Sequence, residues 1–570
     1  MLAAAAASAR PRLHPPLPHL HRLRPRPSLQ REISDSPIVP KDDDDDDDQS
    51  KEASRGGADL GSSGSSGGGG RRRRSGGNSV LFLSPTLWPR PSSSAAGVRT
   101  AALLRYFGRK RIGNGGAVCP FGGGAHYGSG ARWPDPDRSD AEADAAADLD
   151  RLRDECGVTF HSDTDPNRSG SMRSLLSDNP ALGDVGCAVF DRFFAEEAYS
   201  YRVREHLPGA ALVLDMQDMH SLRAARRGAV ERWDDSNNMG TGGSGYESKP
   251  MMTPGLMEEI VRLVPGPRSG DLKADDVFLR EVASVHRSDL TLVCSPHELG
   301  ILRDRCGVDP SKLALAPFFA SESRDMVGRG FESRSDFAVL GGFRHPPNVD
   351  SVLWIKGEVW PRIRSVLPAA SLRVYGAHPP RRILDLHDED EGFLVEGYAR
   401  SLDEALGRAR VLLAPLRYGA GVKGKIVDAW RYGVPAVTTP VGAEGTVPTD
   451  DVYNHVVASQ GGGGRLDNGG WGGLISPGDA DSAAECAVRL HEDRDLWSSA
   501  RSDGLGLLRT LFDRDRNLAA VAAAMGRAVR GLEERRDADV TGAALWHQSN
   551  RSTEFFSRWI ELKETRGGDG

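Results

Sequence analysis

The strongest constraint on this chain is an alternation that runs through it twice. Short apolar runs are each followed by a stretch with helical spacing. In the first half the strand-like runs are Val80–Ser84, Ala117–Phe121, Val158–Phe160, Gly186–Phe190, Ala210–Leu214 and Leu290–Cys294. Helices are predicted between them, at about 98–107, 141–156, 195–206 and 275–286, with another reaching about Cys306. In the second half the runs are Phe337–Leu340, Leu372–Tyr375, Phe393–Val395, Val411–Ala414 and Ala436–Thr438. A helix predicted over Val349–Leu367 carries Pro361, which breaks or kinks it. Strands alternating with helices build an open parallel sheet with helices on both faces. The chain is therefore α/β, with two Rossmann-like sheets facing across a cleft. Such sheets take ligands at the carboxyl ends of their strands, so the cleft brings two crevices together.

Residues 1–77 predict a disordered low-complexity tail. It holds seven consecutive aspartates (Asp42–Asp48), a Gly/Ser tract and four arginines (Arg71–Arg74), which cannot bury enough apolar surface to fold. The expected domains are 78–330, with insertions at about 109–140 and 236–250, and 331–535. Residues 456–473 are Gly-rich and predict a surface loop. Residues 536–570 carry a last amphipathic helix, Thr541–Lys563, expected to pack back toward the first domain.

A net charge of −7 gives no chain-wide attraction for nucleic acid or anionic membrane. No run approaches the roughly 20 apolar residues that span a bilayer. The six cysteines lack the close spacing of a zinc knuckle or redox dithiol, so buried reduced thiols and a cytoplasmic location are expected. The Arg-rich start, acid-free before Glu32, leaves an organelle transit peptide as the alternative.

The stretch from Val411 to Gly445 carries the chemistry. A strand ends at Pro415, and a loop with Gly419, Gly421 and Gly424 leads into a helix near Lys425. Glycine lets backbone N–H groups approach a ligand, and a helix start adds positive potential. Lys423, Lys425 and Arg417 add cations, making a seat for a diphosphate. Asp428, one turn into the helix, can accept from ribose hydroxyls. Turns of this composition also occur with no ligand. There is no GxxxxGK(S/T) and no GxGxxG after the first strand, which disfavours a P-loop and a nicotinamide site. On the other half, Asp215, Asp218 and His220 cluster after a strand, where a carboxylate or imidazole can orient an acceptor hydroxyl or take its proton. Glu196 and Glu197 are expected on a solvated helix face.

The pattern RYGAG, VKGK, YG-P-VTT and GAEG strongly resembles the C-terminal domain of family-4-type retaining glycosyltransferases, which have the GT-B fold. Gly341–Trp354 resembles that domain's first strand-to-helix turn. Val80–Phe107, Phe190–Val203, Val213–Arg226 and Arg280–Glu298 resemble parts of the N-terminal domain. The resemblance spans about Ser79 to Lys563 and implies sugar transfer from a nucleotide-diphosphate sugar to an acceptor hydroxyl, with retention. It places Lys423 and Lys425 on the donor diphosphate with Arg417 nearby. Asp428 stands for the second Glu of the family's Glu pair; Ala420 stands for the first. Phe343 and Asn348 occupy positions where the family often has Arg and Lys, with Gly342 and Arg344 adjacent. On the acceptor side, Asp191 and Arg192 stand where the family commonly has a His. No cofactor beyond the donor and no metal are expected. Two alternatives are a sugar-nucleotide epimerase of similar build and a non-catalytic binding or scaffold protein on the same fold.

Overall fold

The structure is a computed structural model. It describes residues 78–550 apart from 86, 92–93, 109–120, 139, 163, 165–174, 178, 238–251, 269–271, 324–328 and 448–469, together with Ser552, Phe555 and Trp559. The predicted tail, residues 117–120 of the predicted second strand, and most of the 236–250 and 456–473 loops lie outside the described residues.

The first sheet contains β1 (Ser79–Ser84), β2 (Gly124–Ser129), β3 (Thr159–His161), β4 (Val185–Asp191), β5 (Ala211–Asp215), β6 (Leu290–Val293) and β7 (Leu313–Leu315). All pairs are parallel, in the order β3-β2-β1-β4-β5-β6-β7. Both faces are covered, as a parallel sheet requires. Val80 and Phe82 pack with Leu103 and Phe107 on one face, and Leu81 and Leu83 pack with Tyr199 and Val203 on the other.

One strand corrects the sequence reading. β2 lies inside the stretch assigned as an insertion at 109–140, and it pairs with β1 in register, Phe82 opposite Tyr127. Its sequence, GAHYGS, lacks the branched residues that mark a strand. Gly128 is needed for contact, since a Cβ there would stand 3.0 Å from Leu83 Cδ2. Glu196 is a second correction. It is fully buried rather than solvated, and Arg287 holds both its oxygens, Nε at 3.1 Å and Nη2 at 2.5 Å.

The second sheet contains β8 (Asp336–Leu340), β9 (Leu372–Tyr375), β10 (Phe393–Gly397), β11 (Ala409–Ala414), β12 (Ala436–Thr438) and β13 (Gly473–Ile475). It is also wholly parallel, ordered β10-β9-β8-β11-β12-β13. The strand order reverses between β8 and β11, so the crevice opens beyond Leu340 and Ala414. The helix after β8 runs Pro346–Trp354, widens over Ile355–Val359 and resumes at Trp360–Val366, which is the expected break near Pro361.

The chain returns to the first sheet earlier than 536. Helix Arg514–Val529 lays Leu518, Val521, Ala522 and Met525 against Val189, Val213 and Leu292 of the first sheet. The two crossings between halves run side by side. Ala320 N–H donates to Phe512 C=O at 2.8 Å, and Arg514 N–H donates to Ala320 C=O at 3.1 Å. Such a paired crossing concentrates any hinge into a few backbone positions.

Candidate functional site

The helix that follows the glycine loop runs Gly424–Arg431 and is held from its far end. Trp430 is 1% exposed and donates Nε1–H to Gly472 C=O at 2.7 Å. Gly433, at φ +59, then turns the chain out of the helix, as a glycine after a helix C-terminus does. The start of the helix is thereby fixed toward β8 and the first sheet.

Two lysines project there. Lys423 Nζ donates to Gly421 C=O at 2.6 Å and Ala420 C=O at 3.1 Å. Lys425 Nζ donates to Asn348 Oδ1 at 2.7 Å, and Asn348 Nδ2 donates to Gly342 C=O at 2.8 Å. Asn348 thus orients a lysine from the neighbouring turn. Burial pushes both ammonium groups down, Lys423 to about 8 and Lys425 to about 7, with Lys423 itself adding repulsion on Lys425. His345, at the mouth, is pushed down to about 3 by the protein packed around it and then by Arg223, Lys425, Lys423 and His220. The crevice therefore gathers cations from both halves and no described carboxylate bonds either lysine. The Glu444 and Glu298 carboxylates also act on Lys423, so an anion entering here would meet charges of both signs, with the ammonium groups nearest to hand.

Other predicted donor residues sit differently. Arg417 is 1% exposed and takes two carboxylates, Asp350 (2.9 and 2.5 Å) and Asp234 (both contacts 2.8 Å). Its guanidinium ties helix His220–Asn237 to helix Pro346–Trp354 with four of its five N–H donors, a structural task that sets it apart from the two lysines. Phe343 is buried in the core of the second half. Arg344 is exposed at the cleft mouth. Asp428 accepts from Arg431 Nη1 at 2.9 Å, and burial raises its carboxyl. Gly421 stands at φ +66, where a Cβ would lie 2.8 Å from Asp218 Cβ of the first half. Gly421→Ala is expected to cost about 1–3 kcal/mol through left-handed strain and that clash. Urea unfolding of the variant checks it, and an unchanged midpoint would contradict the close approach.

The acceptor edge is built from the ends of β4 and β5. Asp191 is bracketed by its neighbour Arg192, at 3.1 and 3.2 Å, and receives Gln217 Nε2 at 3.3 Å. Arg192 (φ 71) and Gln217 (φ 63) follow these strands, and His378 (φ 57) follows β9. Among the described residues these are the non-glycine positions with left-handed backbone, and all three lie beyond strand carboxyl ends. Strain of this kind collects where side chains must be aimed. His220 Nε2 is 3.4 Å from Asp218 Oδ1, and Arg223 also meets that carboxylate. The backbone N–H groups of His220 and Ser221 are capped by Glu281, at 2.6 and 2.9 Å. Burial lowers the His220 imidazole, leaving it neutral near pH 7.

Sequence reasoning missed three residues that shape the site. Arg226 and Glu444 form a buried bidentate pair between the halves, both contacts 2.6 Å. Glu298 Oε1 accepts from Met219 N–H at 2.9 Å and Gly421 N–H at 2.8 Å. Glu444 and Glu298 both fell within the motifs that carried the resemblance, but nothing local reveals a partner across the cleft. Among the described residues no group of three or more His, Cys, Asp or Glu is gathered to hold a metal ion. No described helix is long and apolar enough to cross a membrane. Cys156, Cys187, Cys294, Cys306 and Cys486 are free thiols.

Residues 334–493 match the family model described as Glycosyl transferases group 1. The matched residues span the second sheet, β8 to β13, and include both lysines. Among solved structures, the chain is similar to HepE from Anabaena in complex with UDP and glucose, at 12% identity over 79% of this chain and 99% of that one, TM-score 0.48. It is similar to a sucrose-phosphate synthase from Thermosynechococcus elongatus, at 13% identity over 80% and 100%, TM-score 0.45. It is also similar to a glycosyltransferase from Rickettsia africae, at 9% identity over 80% and 99%, TM-score 0.46. No curated protein matches the chain.

Proposed function

We propose that the group 1 domain binds a nucleotide-diphosphate sugar and that the chain transfers the sugar, with retention, to an acceptor hydroxyl in the cleft. The observation that carries this reading is the pair of buried ammonium groups, Lys423 and Lys425, beside a helix start at the carboxyl edge of the second sheet. In the proposed step the anomeric carbon–oxygen bond breaks, its electrons go to the leaving diphosphate, and the acceptor oxygen takes the carbon. The lysines and the Gly424 and Lys425 backbone N–H groups neutralise the charge that develops. Asp428 takes the ribose hydroxyls. Neutral His220, backed by Asp218, is placed to receive the acceptor proton, and Asp191 with Arg192 orients the acceptor. The lysines do the work a metal does elsewhere, so the reaction is proposed to need none. The free thiols fit a reducing compartment, such as the cytoplasm.

The test is release of nucleoside diphosphate from a panel of nucleotide sugars, with and without candidate acceptors. A transferase releases it slowly alone and faster with its acceptor; no release from any donor would overturn the reading. One feature favours a second reading, a non-catalytic protein on this fold. The Gly421 N–H, in the glycine loop beside the lysines, is already held by Glu298 and is closed to a diphosphate. Donor binding without turnover would favour that reading.

A pH dependence follows from the lysines. A diphosphate favours their charged forms, so binding above their free pKa values must take up protons. Donor affinity is expected to weaken as pH rises through about 7 (Lys425) and about 8 (Lys423). Calorimetric titration in buffers of different ionisation enthalpy measures the uptake. Affinity flat across that range would contradict it.

A further inference from the structure

We infer that Glu298 is a positioning residue that sets the donor loop and the acceptor edge in register with each other. It lies at the carboxyl end of β6, in helix Pro296–Gly300, and is 1% exposed. A single oxygen, Oε1, accepts one N–H from each half: Met219 at 2.9 Å and Gly421 at 2.8 Å. Its other oxygen is buried and accepts no hydrogen bond in the structure.

Two hydrogen bonds lead outward from this oxygen, one to each half. On the donor side, fixing Gly421 fixes the carbonyl groups of Ala420 and Gly421, and these carbonyls hold the Lys423 ammonium, at 3.1 and 2.6 Å. On the acceptor side, Met219 lies between Asp218 and His220. The same N–H acceptance therefore places the Asp218 carboxylate, which lies 3.4 Å from His220 Nε2. Gly421 presses on Asp218 at the same point, with no room for a Cβ. Without Glu298 the two buried N–H groups lose their acceptor, and the loop is left with its ties to the first half before Gly421, through Arg226 to Gly419 C=O and through Arg417 to Asp234. A catalytic group displaced by about 1 Å loses on the order of 100-fold in rate. Glu298 touches neither sugar nor diphosphate and acts through Gly421 and Met219.

The inference rests on the proposed donor site, and the test separates the two. Wild type, Glu298→Gln, Glu298→Asp and Glu298→Ala are compared for donor KM, kcat and thermal midpoint, using the nucleotide sugar that wild type turns over best. The amide oxygen of Gln can accept both N–H groups, so E298Q is expected to keep KM and kcat within about threefold. E298A is expected to raise KM and lower kcat, with kcat/KM down on the order of 10- to 100-fold. Asp is one methylene shorter and cannot reach both N–H groups, so E298D shows the same direction if E298A does not fold. A lowered midpoint with unchanged KM and kcat in E298A or E298D overturns the inference, leaving a stabilising contact only. E298Q as impaired as E298A also overturns it, since the charge and not the shared oxygen would then matter. If wild type neither binds nor turns over any nucleotide sugar, the donor site itself is wrong and the inference falls with it.

Discussion

Arg226→Ala is expected to lower the unfolding free energy by about 3–5 kcal/mol. The guanidinium is fully buried and every face of it is used. Nε donates to Ile260 C=O at 3.0 Å, Nη1 to Gly419 C=O at 2.9 Å, and Nη2 to Val261 C=O at 2.9 Å. The two Nη groups also hold Glu444. Removing the side chain leaves a buried carboxylate and three carbonyls without their donor, and the uncompensated charge dominates the cost. The double variant Arg226→Met/Glu444→Leu removes both charges and is expected to recover most of the loss. Urea unfolding of the three proteins measures this. Equal stability of R226A and wild type would mean that this pair does not join the halves. The pair also has a pH signature. Burial alone would raise the Glu444 carboxyl, but Arg226, His297 and Lys423 outweigh it and hold it below its usual value of 4.5. A lowered folded-state pKa means stability that is present above 4.5 and is lost as pH falls below it.

The second large effect concerns the lysines. Lys423→Ala/Lys425→Ala is expected to reduce donor affinity by at least about 100-fold. Each charge-assisted contact to a diphosphate is worth about 1.5–3 kcal/mol, and two such contacts in a site shielded from water compound. Turnover is expected to fall further than affinity, because the leaving diphosphate carries more charge in the transition state than in the bound donor. The variant's own fold is expected to survive. Both ammonium groups are held below their usual value by burial, so removing them relieves a desolvation cost. A steady-state comparison of kcat and KM with wild type checks both parts. Loss of kcat without loss of affinity would place the lysines away from the ground-state diphosphate.

The two-sheet architecture is legible in the sequence because buried parallel strands are apolar on both faces. Val80–Ser84, Ala210–Leu214 and Val411–Ala414 mark themselves this way. The same logic hides β2, whose Gly124 and Gly128 mimic loop composition although the strand pairs throughout with β1. The Lys423–Lys425 turn was visible because its chemistry is local, a glycine loop with cations at a helix start. Arg417 sits in that loop too, yet its partners Asp234 and Asp350 lie 183 and 67 positions away, so its structural task left no local trace. Arg226 and Glu444 are 218 positions apart, and Glu298 reaches 123 positions to Gly421. Contacts between the halves are set by how the two sheets approach, which the spacing of residues along one chain does not encode.

The most direct measurement is calorimetric titration of the full chain with nucleoside diphosphates and their sugars, wild type beside K423A/K425A. Wild type is expected to bind at least one donor saturably, with proton uptake above about pH 7, and the variant to bind none over the same concentrations. Equal binding to both proteins would show that the diphosphate is gripped somewhere else.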